Sequence, residues 1–354
     1  MKKKILRIST YPTDIHNKVG FHSYKISNNI LIDTIFFYPK INGSPLSISK
    51  NVKLDSLPKL PSFKKNKFLW AIGILFINII ILLKSFRYKF DIVHIHSILY
   101  LPSAIFFKIK GKKLVLSFHG EDYNYALNSN IFKYLVQFMD VITVISPIMK
   151  QGLSEIFKKD IFYIGNGIEK QVFFDMDIKR KEQIISVASF KEVKGHKFLI
   201  EGFSNYLINN PNSDLTLHLI GEGELKHEME TYVKKLDLES KIKFYGNLNS
   251  NDLAVLYNQS KYFILTSKRE GFPKVLLEAI ACNCMVISTK VGSVVSVLGK
   301  DYQLYIDQLT PEVIADKINL ATKIKPFKLD ALANKYKWNN ILKKYIDIYN
   351  SLNK

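Results

Sequence analysis

Short runs of β-branched and apolar residues, each followed by a turn signal and then by a segment with helical spacing, recur from one end of the chain to the other. The strand-like runs are KILRIST, DIVHIHS, KLVLSFHG, VITVIS and DIFYIGN in the first half, and QIISVAS, LTLHLIG, IKFYGN, YFILTS, MVIST and YQLYI in the second. Helical spacing fills 147–157, 196–209, 223–236, 250–259, 274–282 and 311–322 between them. Nearly continuous apolar strands joined by helices belong to parallel sheets covered on both faces. Each half is therefore expected to be a doubly wound α/β domain. A chain of 354 residues has room for two. No short internal repeat is present. The apolar pattern lapses between Asn166-Gly167 and Arg180, and an amphipathic helix containing Trp338 is expected from Leu329 onward. The expected domains are 1–172 and 173–328, followed by a terminal helix over 329–354.

A hydrophobic content of 47% with 23% charged residues excludes a disordered chain. Two cysteines, Cys282 and Cys284, are too few for a disulfide framework or a four-ligand zinc site and suggest a reducing, cytoplasmic setting. Charge is the outlier at +20, which calls for a polyanionic partner: nucleic acid, an acidic membrane or a phosphorylated substrate. Residues 1–113 hold 20 Lys and Arg against four Asp, a balance of +16, while the remaining 241 residues carry 31 bases and 27 acids, or +4. The first half is thus expected to meet the polyanion. It also contains 68–83, FLWAIGILFINIIILL, 16 residues with Asn78 as the one polar side chain. As a helix it spans about 24 Å, against about 30 Å of bilayer hydrocarbon. Lys64, Lys65 and Lys67 precede it and Lys84, Arg87 and Lys89 follow. A core helix is the first expectation, with partial membrane contact and a true span as the alternatives. The basic start MKKKILRISTYP has too short an apolar piece for a signal peptide and reads as a first strand.

Chemistry concentrates in Ser267 to Thr289, SKREGFPKVLLEAIACNCMVIST. Glu270 falls in a loop after a strand, Gly271 frees the backbone, Pro273 suits a first helical position, and Glu278 falls in the second turn of the helix. The free N–H groups at such a helix start can receive phosphate or sugar oxygens. Lys194 precedes Gly195 and a helix in ISVASFKEVKGH. In LTLHLIGEGEL a dinucleotide fingerprint fails because Lys226 occupies the third glycine position. His119 ends the strand of KLVLSFHG, where this fold class gathers ligand contacts. Asp175-Met176-Asp177 has the spacing of a metal-binding pair but falls in the interdomain connection, so a metal role is not expected. His94 and His96 share one strand face without an evident carboxylate, which favours packing. Cys282 and Cys284 are assigned to a helix end.

The Glu270 to Glu278 segment resembles the signature of glycosyltransferase family 4, retaining enzymes of the GT-B fold in which two Rossmann-like domains face a cleft. The likeness extends in order and spacing over nearly the whole chain. It implies that Glu270 binds donor-sugar hydroxyls near the reacting carbon and that Glu278 accepts from the nucleotide ribose. Gly271, Phe272 and Pro273 belong to the same donor-binding loop. It implies further that Lys194 holds the donor diphosphate, with Ser189 standing where the family has Arg, and that Asn247 and Leu248 border the base. The resemblance also implies that His119 contacts the donor sugar or reacting centre and that Gly20 approaches the phosphates. NGIEKQVF resembles the entry to the second domain, and YKWNNILKKYIDIY the helix that crosses back to the first. After the family's helix a Gly and a Pro are usual, where this chain has Asn283 and Met285. The implied activity is metal-independent, retaining transfer of a sugar from a nucleotide-sugar to a saccharide acceptor, with no cofactor. Joined to the basic first half, it suggests a lipid-linked acceptor in cell-surface polysaccharide biosynthesis and a cytoplasmic protein peripheral on the anionic inner face of the plasma membrane. The alternatives are a soluble acceptor and a nucleotide-sugar epimerase of the same fold. A nucleic-acid-binding protein would leave the two glutamates unexplained.

Overall fold

A computed structural model describes residues 3–10, 21–39, 46–59, 67–120 and 122–352. Two compact units emerge, Met1–Asn166 joined by Trp338–Lys354, and Gly167–Lys337. The sequence expectation had its seams at 172/173 and 328/329.

The first unit contains β1 (Lys4–Ile8), β2 (Asp33–Pro39), β3 (Val52–Leu57), β4 (Ile92–Ile95), β5 (Lys113–Phe118), β6 (Val141–Val144) and β7 (Asp160–Tyr163). All pair in parallel, in the order β3-β2-β1-β4-β5-β6-β7. The second unit contains β8 (Lys181–Val187), β9 (Thr216–Ile220), β10 (Ile242–Tyr245), β11 (Ser260–Leu265), β12 (Met285–Thr289) and β13 (Tyr305–Ile306), in the order β10-β9-β8-β11-β12-β13. These are also parallel throughout. Both sheets reverse their winding direction once, between β1 and β4 and between β8 and β11. Ligands of open α/β sheets bind beyond the strand ends at such a switch point. The architecture is the two-sheet GT-B fold.

Two strands were not foreseen. β2 lies inside the sheet with its centre buried, and β3 is the edge, where Lys53 and Asp55 break the apolar pattern because one side of the strand meets solvent. The expected single tail helix is two helices, Asp330–Asn334 and Trp338–Ser351. The break is used for pairing: Lys337 bridges to Ile168, whose N–H donates to the carbonyl of Tyr336. In the second of these helices, Trp338, Ile341, Leu342, Tyr345, Ile348 and Tyr349 form one buried face, which Leu352 just past its end extends. That face packs on Ile5, Ile92, Val115 and Val141 of the first sheet. Each such fully buried side chain contributes about 1.5–3 kcal/mol before conformational entropy is charged against it. The second unit's core joins β-strand residues such as Ile184, Leu217, Ile264 and Ile287 to helix residues Leu199, Phe203, Ile314 and Ile318.

Helix Lys67–Ser85 departs from the core-helix expectation. Ile77, Asn78, Ile81 and Ser85 are buried, but Phe68, Leu69, Leu75, Phe76, Ile79 and Leu83 are exposed.

Candidate functional site

In the second unit, the loops after β8 and β11 are sewn together by backbone. The 3-10 turn Glu192–Lys194 ends in Gly195 at φ +70°, a left-handed conformation that suits glycine. A Cβ there would stand 2.4 Å from the carbonyl oxygen of Thr266. Lys268 N–H donates to the Val193 carbonyl at 2.8 Å, and the Thr266 hydroxyl donates to the Lys194 carbonyl at 3.0 Å. These ties bring Lys194 Nζ to 2.6 Å from Glu270 Oε1, which also accepts from the Ser267 hydroxyl at 2.6 Å. Both bonds land on Oε1; neither uses Oε2. The ion pair stands at the carboxyl ends of the two strands that flank the switch point.

The loop after β9 closes on the one after β8. Gly221 and Gly223 are required by close approach, since a Cβ would lie 2.1 Å from the Ala188 carbonyl oxygen in the first case and 2.4 Å from that of Phe190 in the second. Phe190 N–H donates to Glu222, and Leu225 N–H to Phe190. Ser189, half-buried, lies inside this lacing. Asn247, exposed, and Leu248, half-buried, follow β10.

Helix Lys274–Ala281 starts where the helical spacing places it, with Pro273 as its N-cap and not as its first helical residue. Phe272 turns into the unit and meets Tyr336 edge-on at 5.3 Å. Glu278 is buried, and the Tyr257 hydroxyl approaches its Oε2 at 3.4 Å. Burial, reinforced by Glu278, holds the Tyr257 phenol well above its usual range. The helix ends in a Schellman motif: Cys284 N–H donates to Ala279 and Asn283 N–H to Ile280, with Asn283 at φ +58°. Asn tolerates this conformation, so Asn283 forms the turn without a glycine. The Asn283 amide then binds Asp175 Oδ2 at 2.7 Å, while Arg180 takes Asp175 Oδ1 at 3.1 Å. Asp175 of the D-x-D is thereby occupied in joining chain segments. Cys282 caps the helix and both cysteines are buried.

Two residues that sequence reasoning missed hold this loop. Gly292 follows β12 at φ +54°, and a Cβ on it would stand 2.5 Å from the Gly271 oxygen and 2.6 Å from that of Glu270. Ser293 donates to the Gly271 carbonyl at 3.2 Å. The signal was available as a glycine just past a strand end in STKVGS. Gly292→Ala is expected to push the Glu270 loop aside and to lower kcat/KM about 100-fold, the scale of a misplacement near 1 Å. Steady-state kinetics beside a thermal melt check this, and a value within threefold of wild type would refute it.

In the first unit His119 follows β5 and is half-buried. Its Nε2 is 2.9 Å from Nδ1 of His96, and the two rings stack at 5.2 Å. The packing expected for His94 and His96 is present, with rings 4.0 Å apart, but His96 also reaches His119, which spacing in sequence could not show. Buried Arg7 anchors one end of this cluster. It can only donate, so Tyr349 Oη accepts from Arg7 at 2.8 Å, which leaves the phenol proton available to His94 Nδ1 at 2.7 Å. The other His94 nitrogen, Nε2, lies 2.7 Å from Ser117 Oγ, which is 2.5 Å from Thr143 Oγ1. Burial, with Arg7 and neighbouring His contributing, holds His94 and His96 neutral, well below the usual histidine range. Asp122 Oδ1 accepts from the N–H groups of His119, Gly120 and Tyr123, yet burial pushes its carboxyl up to about 6. Gly20 lies outside the described residues.

Two family models match the chain: Glycosyl transferases group 1 over residues 169–338 and Glycosyltransferase Family 4 over residues 33–172. An N-acetyl-alpha-D-glucosaminyl L-malate synthase of Bacillus anthracis is 29% identical over 235 residues, 60% of each chain. The matched region thus spans less than two thirds of that relative. A Campylobacter jejuni N-acetylgalactosaminyltransferase, named for an N-acetylgalactosamine-N,N'-diacetylbacillosaminyl-diphospho-undecaprenol substrate, is 29% identical over 174 residues, 46% of each chain. Among solved structures, the Anabaena protein HepE in complex with UDP superposes with a TM-score of 0.73 at 14% identity, covering 99% of this chain and 100% of that one.

Proposed function

The chain belongs to the group 1 glycosyltransferases, family 4 in its first half, and from that premise we propose that it transfers a sugar from a nucleotide-sugar to a saccharide acceptor with retention at the anomeric carbon. The observation that carries this reading is the Lys194–Glu270 pair, 2.6 Å apart, at the switch point of the second sheet. A leaving nucleoside diphosphate develops negative charge as the bond from the anomeric carbon to its phosphate oxygen breaks. Lys194 has three donors, so it can keep Glu270 and still reach that oxygen. Glu270 Oε2 is suited to accept from a vicinal pair of sugar hydroxyls and fix the ring. The acceptor oxygen then bonds to the anomeric carbon on the face the phosphate leaves, and its proton passes to the departing phosphate oxygen. Orientation and preorganised charge supply most of the rate. On this reading the positive charge comes from protein groups and no divalent metal is needed.

Glu278 is assigned to the ribose, Asn247 and Leu248 to the base, and His119 to the sugar near its reacting carbon, as the family resemblance implies. For the acceptor we propose a lipid-linked saccharide of a cell-surface polysaccharide. The +16 balance of residues 1–113 and the diphospho-undecaprenol substrate named for the Campylobacter relative support it. A panel of labelled nucleotide-sugars, incubated with chelator and with or without a bacterial lipid extract, tests the proposal. An α-linked product from an α-linked donor, formed only with lipid extract, is expected. Inverted product, or epimerised donor with no transfer, would overturn it.

A further inference from the structure

Helix Lys67–Ser85 is built inside out. Its one uncharged polar residue between Phe68 and Leu83, Asn78, faces the protein: the side-chain amide donates to Leu99 O at 2.9 Å, and its oxygen accepts from Ser103 N–H at 3.0 Å. Ile77 and Ile81 join it on the buried stripe. The opposite side carries Phe68, Leu69, Leu75, Phe76, Ile79 and Leu83, each more than half exposed. A helix that is apolar all round is normally covered all round, and a contiguous exposed apolar patch of this kind marks an interaction surface.

The patch continues beyond the helix. Phe86, 67% exposed, meets Phe106 edge-on at 5.7 Å, and Ile109, 78% exposed, stands between Lys108 and Lys110 on the neighbouring helix Pro102–Ile109 and its cap. The rim is mostly basic: Arg87, Lys89, Lys110 and Lys113 are exposed, against exposed Asp91 and against Asp140, which Lys108 takes up at 2.6 Å. Asp55 is likewise taken up by Lys84 and Tyr88.

From this arrangement we propose that the face formed by Lys67–Ser85 and the end of Pro102–Ile109 seats the protein on an anionic bilayer, its apolar side chains in the acyl boundary and its basic rim among the phosphate headgroups. Two features decide the occupant. A second copy would set the same basic rim against itself, whereas anionic lipid complements it. The helix is fixed lengthwise to the domain through Asn78 and Ile81, so it lies in the plane of the interface and does not cross the membrane. This seat does not depend on the reaction proposed above, and its test reads binding alone.

The test is flotation of the full chain with vesicles of phosphatidylcholine alone or mixed with phosphatidylglycerol, at low and high salt. The wild type is expected to float with the anionic vesicles and to be largely released by high salt. Leu75→Glu/Phe76→Glu/Ile79→Glu changes only exposed positions and should lower bound protein at least about tenfold, with an unchanged melting temperature. Arg87→Glu/Lys89→Glu/Lys110→Glu should remove the preference for anionic lipid by a similar factor. Wild-type protein that stays unbound, or binding indifferent to both variants, would overturn the proposal. So would a wild-type dimer in light scattering that the apolar variant converts to monomer, since a second copy would then cover the face. Retention through alkaline carbonate extraction would equally reject the in-plane seat in favour of a span.

Discussion

Glu270→Ala lowers kcat for sugar transfer roughly 100- to 1,000-fold, the range found when one preorganised polar group is removed from a reacting centre. The substitution takes away the carboxylate that receives Lys194 and Ser267, and with it the proposed acceptor for the sugar hydroxyls. Lys194 then loses its anchor and becomes a mobile lysine, so binding of a nucleoside diphosphate should weaken less than catalysis. Glu270→Gln keeps the shape and an acceptor oxygen but removes the charge. It should fall between wild type and Glu270→Ala in kcat. Initial rates over a range of donor concentrations, paired with calorimetric binding of nucleoside diphosphate, separate these effects. If Glu270→Ala retains a third or more of the wild-type kcat, the ion pair is structural and the proposed chemistry is wrong.

Acidification from pH 6.5 toward 4 destabilises the protein, chiefly through its buried histidines. Burial, aided by Lys194, lowers His196 from 6.5 to about 4; burial, aided by Lys243 and Lys181, lowers His218 to about 4. His94 and His96 are displaced in the same direction. In this window the unfolded chain takes up protons that the folded protein refuses, so stability is present above pH 6.5 and is lost as pH falls. For His196 alone the full window amounts to about 3 kcal/mol. Asp122 acts oppositely: its carboxyl, raised from 3.8 to about 6, makes the folded state gain protons first as pH falls. Four histidines outweigh that one carboxyl. Urea unfolding at pH 7.5, 5.5 and 4.5 should show a steadily falling free energy, and His196→Phe, which keeps a ring against Phe190, should flatten the slope by about one histidine's share. A free energy that holds constant or rises between pH 6.5 and 4.5 would show that these rings are solvated.

Much of the fold was legible because a parallel sheet imprints itself locally. A strand buried on both faces must be apolar nearly throughout, as in LVLSF or MVIST, and its crossover helix must carry a period near 3.6 residues. Where burial is partial the imprint fades. β3 alternates with Lys53 and Asp55 because it is an edge, and it went unread, and β2 beside it was also missed. Glu270, Gly271 and Glu278 could be picked out because a loop, a glycine and a helix follow one another within nine residues. Gly292 and His96 could not, since their work is done across 21 and 23 residues of chain, against Gly271 and His119 respectively.

By itself, then, the sequence determined the alternation of strands and helices, the place of the glutamate pair, and the concentration of positive charge in residues 1–113, each a property of neighbours along the chain. Tertiary structure alone decided that Lys194 meets Glu270, 76 positions away, because only the parallel register of β8 with β11 brings their following loops side by side. It also decided which way the helix Lys67–Ser85 faces. Composition makes that helix equally fit for core or membrane; the two hydrogen bonds of Asn78, made to Leu99 and Ser103, turn its only amide inward and leave the leucines outside.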